Sequence, residues 1–257
     1  MPTPEVWLVR STMLSTLALC LLSCAFCAQG DDAVAEDARV LFFDDFSAGM
    51  DNWWAEGGLN AWVEDGKLYQ DAEPGGERGE SRTGLCSTIW CKQEFEGDIR
   101  IELDTHVVRS DIDANNINFF IHFSDPGGKP LYETRDERAD GAYQKYHVLS
   151  GNIITFLSDV EKESLALPPD QRPARIRIRH CPGFELLKEE FTYHCRQRVT
   201  YHIEIIKQGP DISFSVDGRL LAQAHDPQAP SGGLFGLRTF RTVLWWDNVR
   251  ISSLGGE

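Results

Sequence analysis

From Arg39 onward, hydrophobic and polar residues alternate in short runs separated by Gly, Pro, Asn and Asp. The runs are Val40–Phe43, Ala61–Val63, Ile99–Val108, Ile117–Phe123, Ile153–Leu157, Arg175–Arg179, Thr200–Ile206, Ile212–Val216 and Leu244–Ile251. Their period of two and their β-branched and aromatic content predict strands with one buried face. Asp217-Gly218 between two such runs predicts a hairpin turn. No long helical period competes. Only Arg138–Lys145 and Leu186–Glu190 read as helical turns, and neither has a good cap. With no internal repeat and no Ser/Pro-rich linker, the pattern predicts one all-β sandwich over residues 38–254.

The exception to alternation is at the start. Met13–Ala28 is one apolar run behind Arg10, shorter than the ~20 residues a membrane helix needs, and it ends in small residues. Residues 1–28 therefore read as a signal peptide and 29–37 as a short linker, making the protein secreted or periplasmic. Leu-Leu-Ser-Cys ending at Cys24 also fits a lipoprotein box, with a lipid anchor in place of free secretion. Beyond residue 28 four cysteines remain, Cys86, Cys91, Cys181 and Cys195. An even number in an exported chain reads as disulfides, Cys86 with Cys91 and Cys181 with Cys195. A zinc site is the rival, without a close Cys-x-x-Cys pair to support it.

Charge narrows the partners. Forty acidic residues against 25 basic give −15, and losing Glu5 and Arg10 with the signal leaves that unchanged. Such a balance argues against nucleic acid and against a polybasic membrane contact. Yet Arg172, Arg175, Arg177, Arg179, Arg196 and Arg198 fall within one stretch, so a local basic patch can reverse the field.

Several motifs carry a resemblance. Phe43-Asp-Asp-Phe46, Trp53-Trp54, Val63-Glu-Asp-Gly-Lys-Leu68, Val216-Asp-Gly218, Gly233-Leu-Phe-Gly-Leu237 and Trp246-Asp-Asn-Val-Arg-Ile251 resemble the ends of the concanavalin A-like lectin/glucanase superfamily. The resemblance implies a jelly roll. Ile89-Trp-Cys91, Gly141-Ala-Tyr-Gln-Lys-Tyr-His147, Ser150-Gly-Asn-Ile153 and Arg179-x-x-x-Gly183-Phe184 resemble the YesU-like family of that superfamily, which is found beside polyuronate degradation genes. Thr155-Phe-Leu-Ser-Asp159 departs from that family, which tends to place a Tyr and a basic pair there. The superfamily often tethers its chain ends with calcium, for which Asp44, Asp45 and Asp247 stand in suitable positions; no other cofactor is implied.

Three groups can carry chemistry. Alternation puts Asn116, Asn118, Phe120 and His122 on one face, with Ile117, Phe119, Ile121 and Phe123 in the core. Arg175, Arg177 and Arg179 share a face and suit a carboxylate or sulfate; the alternative is an ion-pair ladder against Glu102 and Asp104. Tyr143, Tyr146 and His147 stand on a loop, where sites often lie. β-Elimination at a uronic acid needs a neutralised carboxylate, a base and an acid. Arg179 and Asn118 fit the first role, His122 or His147 the second and Tyr146 the third. Asn116, Tyr143, Arg175 and Arg177 complete the expected contacts to an anionic polysaccharide or oligosaccharide.

Two other classes remain. A non-catalytic carbohydrate-binding module could use the tryptophans, although Trp245 and Trp246 must face opposite ways. A glycoside hydrolase of this superfamily would show Glu-x-Asp-x-x-Glu, and Glu102-x-Asp104 lacks the third acid because Val107 stands there.

Overall fold

In the computed structural model, which describes residues 39–74 and 84–255, the alternating runs form antiparallel strands in two sheets. The stretches expected to be a signal peptide and a linker, with Cys20, Cys24 and Cys27, lie outside the described residues. The first sheet runs β13 (Arg219–His225), β12 (Asp211–Val216), β11 (Thr200–Gln208), β6 (Ile99–Ser110), β15 (Thr242–Ser253), β4 (Lys67–Asp71) and β3 (Asn60–Glu64), with β1 (Val40–Asp44) also paired to β15. The second runs β10 (Glu185–Thr192), β9 (Ala174–Cys181), β8 (Ser150–Ser158), β7 (Ile117–Ser124), β14 (Gly232–Phe240), β5 (Cys86–Glu96) and β2 (Trp53–Gly57). Among the described residues, no helix is long and apolar enough to cross a membrane.

Alternation decides what lies between the sheets. Phe119 of β7 packs its ring on Phe214, Phe235 and Trp246 at centroid distances of 6.0, 6.5 and 5.8 Å. Ile101, Leu103, Ile154, Ile176, Ile178 and Ile203 complete the same wholly buried layer. Each such side chain contributes about 1.5–3 kcal/mol by leaving water. Trp246 is inward and donates its indole N–H to Gln70 at 2.9 Å, while its neighbour Trp245 stacks on His106 outside the first sheet. The β12–β13 turn has Asp217 and Gly218 both at positive φ, 52° and 73°, as a two-residue hairpin requires.

Three local expectations are corrected. Leu186–Glu190 is part of β10 and pairs with Arg179–Ile176 of β9, so the pull of a sheet edge overrides a weak helical pattern. The face reading of β7 fails at its end. His122 takes φ 52° in a bulge between Ile121 and Ser124, and this shifts Phe123 to the outer face, where it stacks on Phe120 at 4.6 Å. The expected disulfides do not form. Cys86 and Cys91 lie five residues apart on β5, which puts them on opposite faces and roughly 16 Å apart; a bridge needs Cα atoms within ~7 Å. Cys181 packs on the outer side of the second sheet and Cys195 in the core between the sheets.

Burial holds these thiols protonated, pushing Cys181 up to about 11, Cys91 up to about 12 and Cys195 well above its ordinary value. After unfolding without a reductant, Cys91, Cys181 and Cys195 should all be alkylated, as peptide mass spectrometry would read; an unmodified pair would contradict this arrangement.

Candidate functional site

The outer face of the second sheet is the unusual one. Direct cross-strand partners there form one row across all seven strands: Glu189, Arg177, Thr155, Asn118, Arg238, Thr88 and Glu56. The adjacent row is largely apolar: Leu186, Arg179, Ile153, Phe120, Gly236, Trp90 and Trp54. Gly236 is required, because a Cβ there would stand 2.7 Å from the Trp90 ring. Over the middle of both rows lies the segment from Leu131 to Leu149. Its short 3-10 turns at Arg135–Arg138 and Tyr143–Tyr146 replace the single helical turn expected near Arg138–Lys145.

Glu56 holds this segment down. Its carboxylate, 3% exposed, accepts from Trp54 Nε1 (3.2 Å), Trp90 Nε1 (3.1 Å), Tyr146 Oη (2.9 Å) and Arg138 Nε (3.0 Å) and Nη2 (2.9 Å). Arg138 also donates to Leu131 O and Thr134 Oγ1 within the segment. Burial, and then the Glu56 charge, raise the Tyr146 phenol above its ordinary range. Tyr146 is fully buried with its proton committed to Glu56.

Arg238 is the second anchor. It is 1% exposed, donates from Nη1 to Thr88 Oγ1 at 2.8 Å and from both Nη atoms to Gly141 O at 3.2 Å. Its Cζ lies 4.3 Å from the Tyr143 ring centre and 5.0 Å from that of Tyr146. Gly141 must be glycine: φ is 64° and a Cβ would meet Cys86 O at 2.3 Å.

At the β8–β9–β10 flank, Tyr143, His147, Arg177, Arg179 and Phe184 come together, each half-buried. The His147 ring stacks on Phe184 at 3.7 Å and 13°, and Arg179 Cζ lies 4.2 Å from the same ring centre. One ring face cannot hold both at these distances, so Phe184 is sandwiched between imidazole and guanidinium. Arg179 Nη1 donates to Phe184 O at 3.1 Å, and Tyr143 meets His147 edge-on at 4.5 Å. Among the described residues no carboxylate lies within ion-pair distance of Arg177, Arg179 or Arg238. The Nε atoms of Arg177 and Arg179 and Nε2 of His147 are buried without a hydrogen-bond partner.

Burial, reinforced by Arg238 and Arg179, brings His147 down to about 4, so the ring is neutral near pH 7. Tyr143 is raised by burial against the opposing pull of Arg238 and keeps its proton. Arg177 is lowered by burial and by its two arginine neighbours.

The structure thus brings Tyr143, His147, Arg177 and Arg179 together, with Asn118 buried beneath in the same row and Asn116 accepting from Asn118 Nδ2. Tyr146 sits nearer Glu56. Arg175 shares the face but is neutralised by Glu161 (2.6 Å) and Glu189 (2.8 Å); Glu102 and Asp104, the partners first considered, belong to the other sheet. His122 does not join the group. Its bulge turns it toward Pro230 O at 3.2 Å, where burial brings it down to about 4. Arg172 pairs with Asp113, and Arg196 bonds Asp170 O, at a different cleft. Asp44 is occupied by Phe46 N, Asn52 and Trp53, and Asp247 by Lys67. Among the described residues no three His, Cys, Asp or Glu side chains are grouped to hold a metal.

Glu56, Arg138, Phe184 and Arg238 were missed as site residues. Alternation could have found two of them, since Glu56 is two residues from Trp54 and Arg238 two from Gly236.

A seven-on-eight antiparallel sandwich with its outer row read across the strands defines a jelly-roll protein of the concanavalin A and galectin type. A protein of unknown function with galectin-like fold from Bacillus subtilis matches with TM-score 0.67 at 16% identity, covering 84% of this chain and 96% of that one. The carbohydrate-binding module CBM66 from Bacillus subtilis matches at 0.53 and 16% identity (79% and 97%). The endo-β-1,3-glucanase of Pyrococcus furiosus matches at 0.51 and 13% identity (86% and 96%). No curated protein matches the chain. Residues 40–243 match the model of a domain of unknown function, DUF1961, and the chain belongs to that family.

Two outcomes follow from the site. Glu56→Gln leaves Arg138 buried without its partner and should cost about 3–5 kcal/mol in denaturant unfolding, while loosening the Leu131–Leu149 segment to hydrogen exchange. The depressed His147 binds fewer protons folded than unfolded between about pH 4 and the ordinary value of 6.5. Its stabilising contribution is therefore complete above 6.5 and lost as pH falls toward 4. His147→Phe should flatten the pH dependence of stability across that window, and the imidazole signals of the native protein should titrate near the lower end.

Proposed function

We propose that this is an exported carbohydrate-active protein that binds an acidic saccharide at the Tyr143–His147–Arg177–Arg179–Phe184 flank and cleaves it by β-elimination. The observation that carries the reading is the pair of guanidiniums, Arg177 and Arg179, held beside a neutral imidazole and a protonated phenol with no carboxylate of the described residues in ion-pair distance. A planar carboxylate satisfies such a pair bidentately and loses its charge in doing so. That acidifies the α-proton. His147 takes the proton, the electron pair forms the new double bond as the β C–O bond breaks, and Tyr143 protonates the departing oxygen. The proton donor is thus assigned to Tyr143, because the hydroxyl of Tyr146 is already donated to Glu56. The resemblance to the YesU-like family, with its polyuronate setting, supports the same substrate class, and the jelly rolls matched include a carbohydrate-binding module and a glucanase.

Hydrolysis has less support. A retaining glycosidase needs two carboxyls ~5–5.5 Å apart. The polar row has Glu56 and Glu189 at its two ends, six strand spacings or roughly 29 Å apart, and both are engaged. A binding module is the second reading. It is favoured by the burial of Asn118, Thr88, Thr155 and Arg238 under the covering segment, which closes the middle of the polar row to a ligand.

The test is calorimetry and unsaturated-product absorbance on a panel of polyuronates. Arg179→Ala should weaken binding tenfold or more, by about 1.5–3 kcal/mol for a hydrogen bond to a charged group. Tyr143→Phe and His147→Ala should bind nearly normally but lose product formation by ~10²–10⁴. Full turnover in both variants sinks the elimination; binding without product in the native protein establishes the binding module.

A further inference from the structure

The covering segment divides the outer face of the second sheet into two flanks, and the one across from the arginines has a different chemistry. At the β5 and β2 side, Trp54 and Tyr132 meet at 83° with centroids 5.3 Å apart, forming a corner of two rings. Leu234 floors the cleft beside them, Pro130 bounds it, and Lys92 and Glu94 stand on its rim. Tyr132 is 48% exposed although Arg135 covers one of its faces, with Cζ 4.2 Å from the ring centre. An exposed tyrosine held in place by a cation and a tryptophan is a rigid apolar surface that the fold leaves uncovered.

The rim indicates which ligand suits that surface. Lys92 is fixed by donating to Asp51 O at 2.6 Å. Glu94 forms no ion pair or side-chain hydrogen bond among the described residues, so both its oxygens are available as acceptors. One positive and one negative rim charge cancel, which gives no preference for a charged ligand. An aromatic wall takes the C–H face of a pyranose, and a free carboxylate accepts from two adjacent hydroxyls. The two flanks therefore differ: unpaired arginines at β9, and an uncharged aromatic corner four strands away at β5, roughly 19 Å across the sheet.

We infer that the Trp54–Tyr132 cleft is a second saccharide subsite that takes a neutral sugar, and that the ligand is a heteroglycan carrying both acidic and neutral residues. This rests on the acidic-saccharide reading of the arginine flank. A homopolyuronate would bring a carboxylate against Glu94, whose free oxygens repel it, while Lys92 is already committed to Asp51 O.

The experiment compares oligosaccharides of equal length, either uniformly uronic or mixed acidic and neutral, together with a neutral oligosaccharide, by calorimetry on the native protein and on Tyr132→Ala and Arg179→Ala. The mixed oligomer should bind the native protein about three- to tenfold more tightly than the uniform one. Tyr132→Ala should abolish that difference with little change for the uniform oligomer, and Arg179→Ala should weaken both. Glu94→Gln, a surface change that leaves folding intact, should narrow the difference by admitting a uronic residue. Equal affinities for the two oligomers, or a Tyr132→Ala protein that keeps the difference, overturn the inference. If only the neutral oligosaccharide binds, and Tyr132→Ala abolishes this, the arginine reading and the heteroglycan fall while the neutral cleft stands.

Discussion

Five hydrogen bonds onto the buried Glu56 carboxylate determine the form of the outer face. A carboxylate that far from water is tolerable only when its lone pairs are filled, and a charge-assisted bidentate arginine fills them best. Two of the donors come from the sheet or its edge, Trp54 and Trp90, and the others from the covering segment, Arg138 and Tyr146. Burying an ion pair adds little net stability compared with an apolar replacement. What it supplies in this protein is a docking position, because the other carboxylate of the row, Glu189, stands at its far end and is paired with Arg175. From there the chain runs to Gly141, whose carbonyl is held by Arg238, and on to Tyr143 and His147. The placement of Tyr143 and His147 is thus a consequence of where one glutamate sits on β2.

A net charge of −15 and the proposed anion site are compatible once distance is considered. At physiological salt the Debye length is ~8 Å, so acidic residues elsewhere on the sandwich are screened from a ligand already at the arginine flank. Nearer charges are not. Arg175 is neutralised by Glu161 and Glu189, whereas among the described residues no carboxylate lies within ion-pair distance of Arg177, Arg179 or the buried Arg238. Three cations left in this state repel one another, and the charges of Arg238 and Arg179 add to burial in depressing His147. A carboxylate bound as proposed would relieve that repulsion.

Much of the sandwich was legible because a half-buried strand imposes a period of two. Where both faces are covered, that period fades: Thr88–Trp90 of β5 and Gly233–Leu237 of β14 are buried on each side and read only as motifs. The flank arginines and the Tyr143–His147 loop were found because charges and phenols are conspicuous. His122 shows the limit. Its place depends on one bulged residue at φ 52°, and a one-residue slip moves every following side chain to the opposite face. Glu56 was unremarkable in sequence, because its importance comes from Arg138, which is 82 residues away. The cysteines misled for a related reason. Count and compartment argued for bridges, while strand geometry placed Cys86 and Cys91 on opposite faces.

The flank is also rigid where a binding site benefits from it. His147 is clamped between the Phe184 ring and Tyr143, and its carbonyl accepts from Gly183 N at 3.1 Å, which ties the covering segment to the β9–β10 turn. Arg179 is clamped on the other face of Phe184 and bonded to that residue's carbonyl. Phe184 itself takes φ 58°, a conformation that turns its ring back over the sheet. Guanidinium and imidazole thus share one aromatic spacer and cannot move independently. Side chains immobilised before the ligand arrives avoid the ~0.5–1.5 kcal/mol that ordering each would otherwise cost on binding. The sandwich also keeps the two groups apart: a direct Arg179–His147 contact would repel once the imidazole took a proton, and an aromatic ring between them lessens that repulsion. Phe184 therefore does for the pair what a polar residue could not, giving guanidinium and imidazole one ring on which both stack.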